Sequence, residues 1–188
     1  MKLKSILIVI IAVIIVAVLT MFAAMVSVIF DVMSYTATGH ETLSPSGAES
    51  GKALVVYNPG ITGSAKSAAV KIAGDLQAKG YVVDLCGIRS ADAGKTAGYN
   101  VIVVGGPVYV GNASSSVKSY LSALVPDSGT KVGVFGTGSV ALDSEDLATV
   151  LKNVASVDSP ASIKAALKLL TQDNADIKCS TFVDELLR

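Results

Sequence analysis

The chain has 188 residues, with 15 basic and 15 acidic side chains and an apolar fraction of 51%. That length suits one ordinary domain plus an accessory segment. The even charge excludes a polybasic nucleic-acid surface and an acidic interaction tail, so no nucleic-acid partner is expected.

Ile6–Phe30 contains no charged residue, no Gly and no Pro. A helix needs about 20 apolar residues to cross a bilayer core of about 30 Å. The apolar region of a cleavable signal is shorter, about 7–15 residues, and Ala23-Ala24-Met25 is a poor small-x-small cleavage site. No polar face interrupts the run, as one would on a helix packed against a soluble core. Residues 1–30 are therefore expected to form a retained, single-pass transmembrane anchor whose partner is the lipid bilayer. Lys2 and Lys4 flank one end, and Asp31 and Glu41 follow the other. By the positive-inside rule, the N-terminus is expected in the cytoplasm and the domain on the extracytoplasmic side.

Residues 31–51 (DVMSYTATGHETLSPSGAESG) are small and polar, the composition of a flexible linker. The single histidine, His40, falls there and is expected to be solvated. The remaining domain, 52–188, has no His, which excludes a His-containing zinc site or a Ser-His-Asp triad within it.

From Lys52 onward, short apolar runs alternate with amphipathic segments. Ala53–Tyr57 suits a strand buried on both faces. Ser64–Lys79 carries Ala65, Ala69, Ile72, Ala73 and Leu76 on one helical stripe, with Gly80 as its stop. Tyr81–Cys86 and Tyr99–Gly105 read as the second and third strands. Asn112–Leu124 reads as a helix and Lys131–Phe135 as the fourth strand. Ser159-Pro160 looks like an N-cap followed by Pro at the first helical position, opening a helix to about Leu170. Asp176–Val183 alternates and is expected to be the fifth strand. Residues 87–98 are too short and Gly-rich to specify a helix, while 144–157 has room for one. Strands alternating with helices imply a parallel sheet covered on both faces, with strand order 2-1-3-4-5. Cys86 and Cys179, on strands two and five, then lie at opposite edges and are expected to be buried thiols, too far apart for a disulfide.

In such a sheet, ligands bind beyond the carboxyl ends of the strands where the order reverses, here between strands one and three. The loop after strand one is Asn58-Pro59-Gly60-Ile61-Thr62-Gly63-Ser64-Ala65. Its glycines allow tight turns, and the hydroxyls and the opening turn of the next helix suit a phosphate. Ordinary helix capping explains the same Thr and Ser, so both readings stand at this point. The loop after strand three, Gly105-Gly106-Pro107-Val108-Tyr109-Val110-Gly111-Asn112, presents an aromatic face to a flat ring. Gly136-Thr137-Gly138-Ser139 follows strand four and is placed to close over the same ring.

Three competing motifs are weak. Gly60–Ser67 nearly spells a P-loop, but Ala65 stands where the last Gly must let the backbone wrap the phosphates. Gly136–Ala141 resembles a dinucleotide-binding Gly motif but follows the wrong strand. Asn112-Ala113-Ser114 is a glycosylation sequon that helix capping explains equally well.

The runs VVYNPGITGSAKSAAVKIAGDL (55–76) and GYNVIVVGGPVYVGNASSSVKSYL (98–121) resemble the flavodoxin family. That family's phosphate loop typically reads Ser/Thr-x-Thr-Gly-x-Thr. Its second loop often reads Gly-Ser-Pro-x-Tyr-x-Gly, with a Lys in the following helix. Thr62-Gly63 matches the first, with Gly60 and Ala65 replacing its outer hydroxyl residues; Pro107, Tyr109, Gly111 and Lys118 match the second. The resemblance extends over most of 52–188 and implies a flavodoxin-like α/β fold, a five-stranded parallel sheet binding FMN. Thr62, Gly63 and Ser64 would hold the phosphate. Pro107, Tyr109 and Gly111 would face the isoalloxazine, with Thr137 and Gly138 opposite. No catalytic residue or metal ligand is implied. The function expected is electron carriage between redox protein partners at a membrane. The alternatives are an FMN-dependent quinone or flavin reductase and a flavin-free flavodoxin-like binding or scaffold module.

Overall fold

The computed structural model describes residues 3–34, 37–155 and 162–188. The chain opens with helix α1, Leu3–Ser34, in which Ile6–Ile29 is long and apolar enough to cross a membrane. The strands that follow are β1 (His40–Leu43), β2 (Gly51–Tyr57), β3 (Tyr81–Gly87), β4 (Val101–Tyr109), β5 (Asn112–Ala113), β6 (Lys131–Gly138) and β7 (Ile163–Leu170). Between them lie α2 (Ser64–Ala78), α3 (Ser115–Ala123), α4 (Leu147–Val154) and, at the end, α5 (Ala175–Leu187).

The strands form one sheet in the order β1-β3-β2-β4-β6-β7, with β5 hairpinned onto β4. β3, β2, β4, β6 and β7 are mutually parallel, which is the expected 2-1-3-4-5 arrangement. The two faces separate by strand parity. Ala53, Val55 and Tyr57 of β2 pack with α2 and α5, whereas Leu54 and Val56 pack with α3 and α4. Each fully buried Leu, Ile or Val contributes about 1.5–3 kcal/mol, so a sheet buried on both faces carries most of the stability. Cys86 lies in the α3/α4 layer and Cys179 in the α2/α5 layer, both as buried free thiols on opposite faces of the sheet.

Two elements exchange identity relative to the sequence reading. Residues 163–170, expected at the end of a helix, are the edge strand β7; the expected cap at 159–160 lies outside the described residues. Ala, Leu and Lys dominate IKAALKLL and favour helix intrinsically, but tertiary packing overrides propensity by burying Ala165, Leu167 and Leu169 on one face. Residues 176–183, expected as the fifth strand, lie in α5. Its buried positions Cys179, Phe182, Val183 and Leu186 follow the i, i+3, i+4, i+7 rule, and the Asn174 side chain caps its start by accepting the Ile177 N–H at 3.2 Å. Because both segments are mis-assigned together, the count and order of the parallel strands survive, while β1 and β5 bring the sheet to seven strands instead of the expected five. Cys179 reaches the opposite face from Cys86 by way of a helix rather than a strand.

The expected linker is ordered over His40–Leu43, where β1 adds antiparallel to β3 with His40 opposite Cys86 and Leu43 opposite Val83. The pairing continues upstream, since the Gly39 carbonyl accepts the Gly87 N–H at 2.7 Å and the Ala37 carbonyl accepts the Arg89 N–H at 2.8 Å. His40 is not merely solvated: its ring nitrogens each lie 3.2 Å from a carboxylate, of Asp84 and of Asp92. Thr42 and Tyr99 donate hydroxyls to Asp84. Burial raises the Asp84 pKa, but these hydrogen bonds outweigh it and hold the carboxyl below its usual range. A chain starting at residue 37 is therefore expected to be more stable than one starting at 51, which leaves the β3 edge unpaired. Thermal unfolding should show a Tm lower by roughly 5 °C for the shorter chain, corresponding to a loss of one or two kcal/mol.

Candidate functional site

The site sits where β2 and β4 leave the sheet. After Tyr57, the buried Asn58 fixes the turn. Its Oδ1 accepts the Gly60 N–H at 2.9 Å, and its Nδ2 donates to the Ser116 and Ser114 hydroxyls at 2.9 and 3.2 Å. Gly60 and Gly63 adopt φ of 68° and 74°, the left-handed region that glycine enters at little cost. A side chain at Gly60 would also meet Pro107 at 3.0 Å, whereas the space beside Gly63 is open. The first loop is thus packed against the second.

Gly63, not a hydroxyl residue, occupies the N-cap of α2, and no side chain caps the helix. The Thr62 and Ser64 hydroxyls lie 2.9 Å apart, with a long 3.4 Å contact from the Ser64 N–H to Thr62. Among the described residues, the Ala65 and Lys66 N–H groups at this first turn have no acceptor. Capping therefore does not consume these hydroxyls, and the arrangement suits an anion.

The second loop is strand almost to its tip. β4 was expected to end at Gly105, yet it runs to Tyr109, because Gly106 and Pro107 still pair with Gly136 and Thr137 of β6. Pro107 is tolerated because pairing with β2 has already ended at Gly105. Val110 and Gly111, with φ of 49° and 77°, turn the chain into β5. Positive φ at both central positions belongs to hairpin turns that favour Asn-Gly; a β-branched Val there is strained. The Tyr109 hydroxyl accepts the Ile61 N–H at 3.3 Å, so the aromatic side chain bridges the two loops. Thr137 and Gly138, expected in a loop, are the last residues of β6.

A cleft of about 420 Å³ brings together Thr62, Ser64, Pro107, Tyr109, Thr137 and Gly138. Gly63 lies between two of its lining residues. Gly111 does not line it; this glycine borders a neighbouring cavity of about 270 Å³ with Tyr109 and Val140. Lys118 lies on α3, away from the cleft lining. Sequence reasoning missed Leu169, Leu170 and Thr171, which also line the cleft, because it ended a helix at about Leu170 where the chain forms a strand. It also missed Asn58, whose polar side chain directly after a fully apolar strand was the available signal.

Lys168 of β7 was missed for the same reason. It is buried beneath Gly138, donates to Asn153 Oδ1 at 2.8 Å, and has no carboxylate partner among the described residues. Asn153 in turn donates to the Gly111 carbonyl at 3.3 Å, tying the amine to the aromatic loop. Burial pushes the ammonium down to about 8.

No family model and no curated protein matches the chain. Solved structures do. A Streptococcus pneumoniae TIGR4 flavodoxin aligns at a TM-score of 0.54 and 20% identity, over 72% of this chain and 97% of that one. An oxidised flavodoxin 1 from Bacillus cereus aligns at 0.54 and 21%, over 72% and 97%. A two-electron reduced Megasphaera elsdenii flavodoxin aligns at 0.54 and 20%, over 71% and 97%. The chain therefore contains a flavodoxin-like α/β domain, preceded by an apolar helix long enough to span a bilayer.

The unfolded chain holds the Lys168 proton up to about its ordinary value of 10.5, while the folded chain releases it near 8. Between these values the unfolded state binds more protons, so this group's burial cost is present below pH 8 and relieved as pH rises. Comparing the native chain with Lys168→Met by denaturant unfolding from pH 7 to 10.5 isolates the effect. The native chain should gain on the variant by a few kcal/mol, on the order of 1–3, across that window.

Proposed function

We propose that this protein is a membrane-anchored FMN carrier that passes electrons between redox protein partners. The observation that carries the reading is the cleft at the β2/β4 divergence, where the open N–H groups of α2 and the paired hydroxyls of Thr62 and Ser64 lie beside Tyr109. The cleft has room for a flat ring and polar groups for a phosphate, so the residues present fit FMN. The phosphate belongs at the start of α2, where the free N–H groups and the helix dipole favour a dianion. Pro107 and Tyr109, with Thr137 and Gly138, line the cleft and would hold the ring. When bound, FMN supplies electron transfer; the chain holds it, orients it and sets the polarity around it. Among the described residues, no carboxylate or imidazole lines the cleft, which favours a carrier over a dedicated hydrolase or isomerase.

On this reading α1 is the anchor, and the charge bias of Lys2 and Lys4 favours the extracytoplasmic side for the domain. One observation favours a flavin-free binding module as the second reading: Gly60 and Ala65 stand where the flavodoxin phosphate loop carries hydroxyls.

Titrating the detergent-purified full chain with FMN, followed by flavin absorbance and fluorescence, tests the assignment. The native chain should bind. Gly63→Val should abolish binding, because Val resists the φ of 74° the phosphate turn requires. Tyr109→Ala should weaken it about fivefold, the equivalent of ~1 kcal/mol for one aromatic contact, and raise flavin fluorescence. A native chain that ignores FMN supports the binding module; equal binding by all three places the flavin elsewhere.

A further inference from the structure

We propose that the cleft end of the domain faces the bilayer and that the tips of its three loops rest in the lipid interface. The inference rests on the reading of α1 as an anchor and adds an orientation and a contact surface to it. Three independent observations carry it.

The first is the direction of β1. Because β1 runs antiparallel to β3, the chain coming from α1 enters the sheet beside Cys86 and Gly87, at the carboxyl end of the parallel strands. That is the end that holds the cleft. The second is the length of the connection. From Ile29 to Ser34 the helix rises only about 7.5 Å. Three further peptide steps reach Ala37, at most about 11 Å if fully extended. Ala37 is already hydrogen-bonded to Arg89. The carboxyl end of β3 is therefore leashed within about 20 Å of the end of the apolar span.

The third is what the loops expose. Ile61, Val110 and Val140 stand on the loops after β2, β4 and β6, and are 50%, 94% and 67% exposed. Val110 holds a strained left-handed conformation while packing against almost nothing, so the domain's own stability gives no reason for a branched apolar residue there. Val28, near the end of the apolar span, borders the same cavity as Val110 and Val140. Apolar tips on the side from which the membrane helix arrives fit the headgroup–acyl boundary, where apolar side chains sit about 5–10 Å deep. An FMN in the cleft would then exchange electrons with a partner reached at the membrane surface.

The test uses the full chain in phosphatidylcholine vesicles containing lipid with a nitroxide near the top of the acyl chain. Single cysteines at Val110→Cys, Val140→Cys and Val125→Cys are labelled with an environment-sensitive fluorophore. Val125 is an exposed apolar residue before β6, at the amino end of the sheet, and serves as the control. The native chain, whose Cys86 and Cys179 are buried, should take up no label. Labels at 110 and 140 should shift to the blue and be quenched about twofold or more by the nitroxide lipid, while the label at 125 should not. A carbonate-resistant chain with 110 and 140 unquenched, or with all three quenched alike, overturns the orientation and leaves the anchor standing. Release of the native chain by carbonate overturns the anchor and the orientation with it.

Discussion

Everything at the site depends on the way β2 is boxed in. Its residues Ala53–Tyr57 are buried on both faces and paired along both edges, to β3 on one side and to β4 on the other. The chain leaves β2 towards β3 and later returns on the far side as β4, so the two outgoing loops diverge and a gap opens between them. Side chains then shape that gap. Asn58 saturates the turn, Gly60 lets Pro107 approach, and Tyr109 reaches back to Ile61. Gly105 and Gly106 in β4 serve the same end, because a side chain at Gly105 would strike the Phe135 ring at 2.3 Å and one at Gly106 would approach Asn58 at 3.0 Å.

The central elements were legible in the sequence because their signals are local. β2, β4 and β6 carry apolar runs and α2 a clean helical stripe with a Gly stop, and the two diagnostic loops follow β2 and β4 directly. The C-terminal third was misread because there the local signals point the wrong way. IKAALKLL has helical propensity but occupies a sheet edge, where packing decides; DIKCSTFV alternates like a strand but buries a helical stripe. That error hid Leu169, Leu170 and Thr171, which line the cleft at the end of β7, and the buried Lys168 beside them. The ordered piece of the linker was hidden for a different reason. HETL is short and polar, and its pairing depends on partners such as Asp84 and Cys86, far away in sequence.

The polar chain Lys168–Asn153–Gly111 holds a buried amine beneath Gly138, in the neighbouring cavity rather than in the cleft itself. Within the cleft, the start of α2 is the feature that favours negative charge. The cleft's lining residues are all neutral or apolar, so that field acts without competition from a charged side chain there.

The β1–β3 pairing also sets an order of events during synthesis. His40 and Asp84 are 44 positions apart, so β1 is made before the strand it pairs with exists. At 5–20 residues per second that interval is about 2–9 s. β1 can dock only once β3 has emerged, and the 44 positions that this pairing closes are comparable to the 48 between Ala53 and its β4 partner Val101. The edge strand therefore has no kinetic disadvantage against the central pairing of β2 with β4, and it can cover the β3 edge while the C-terminal strands are still being made.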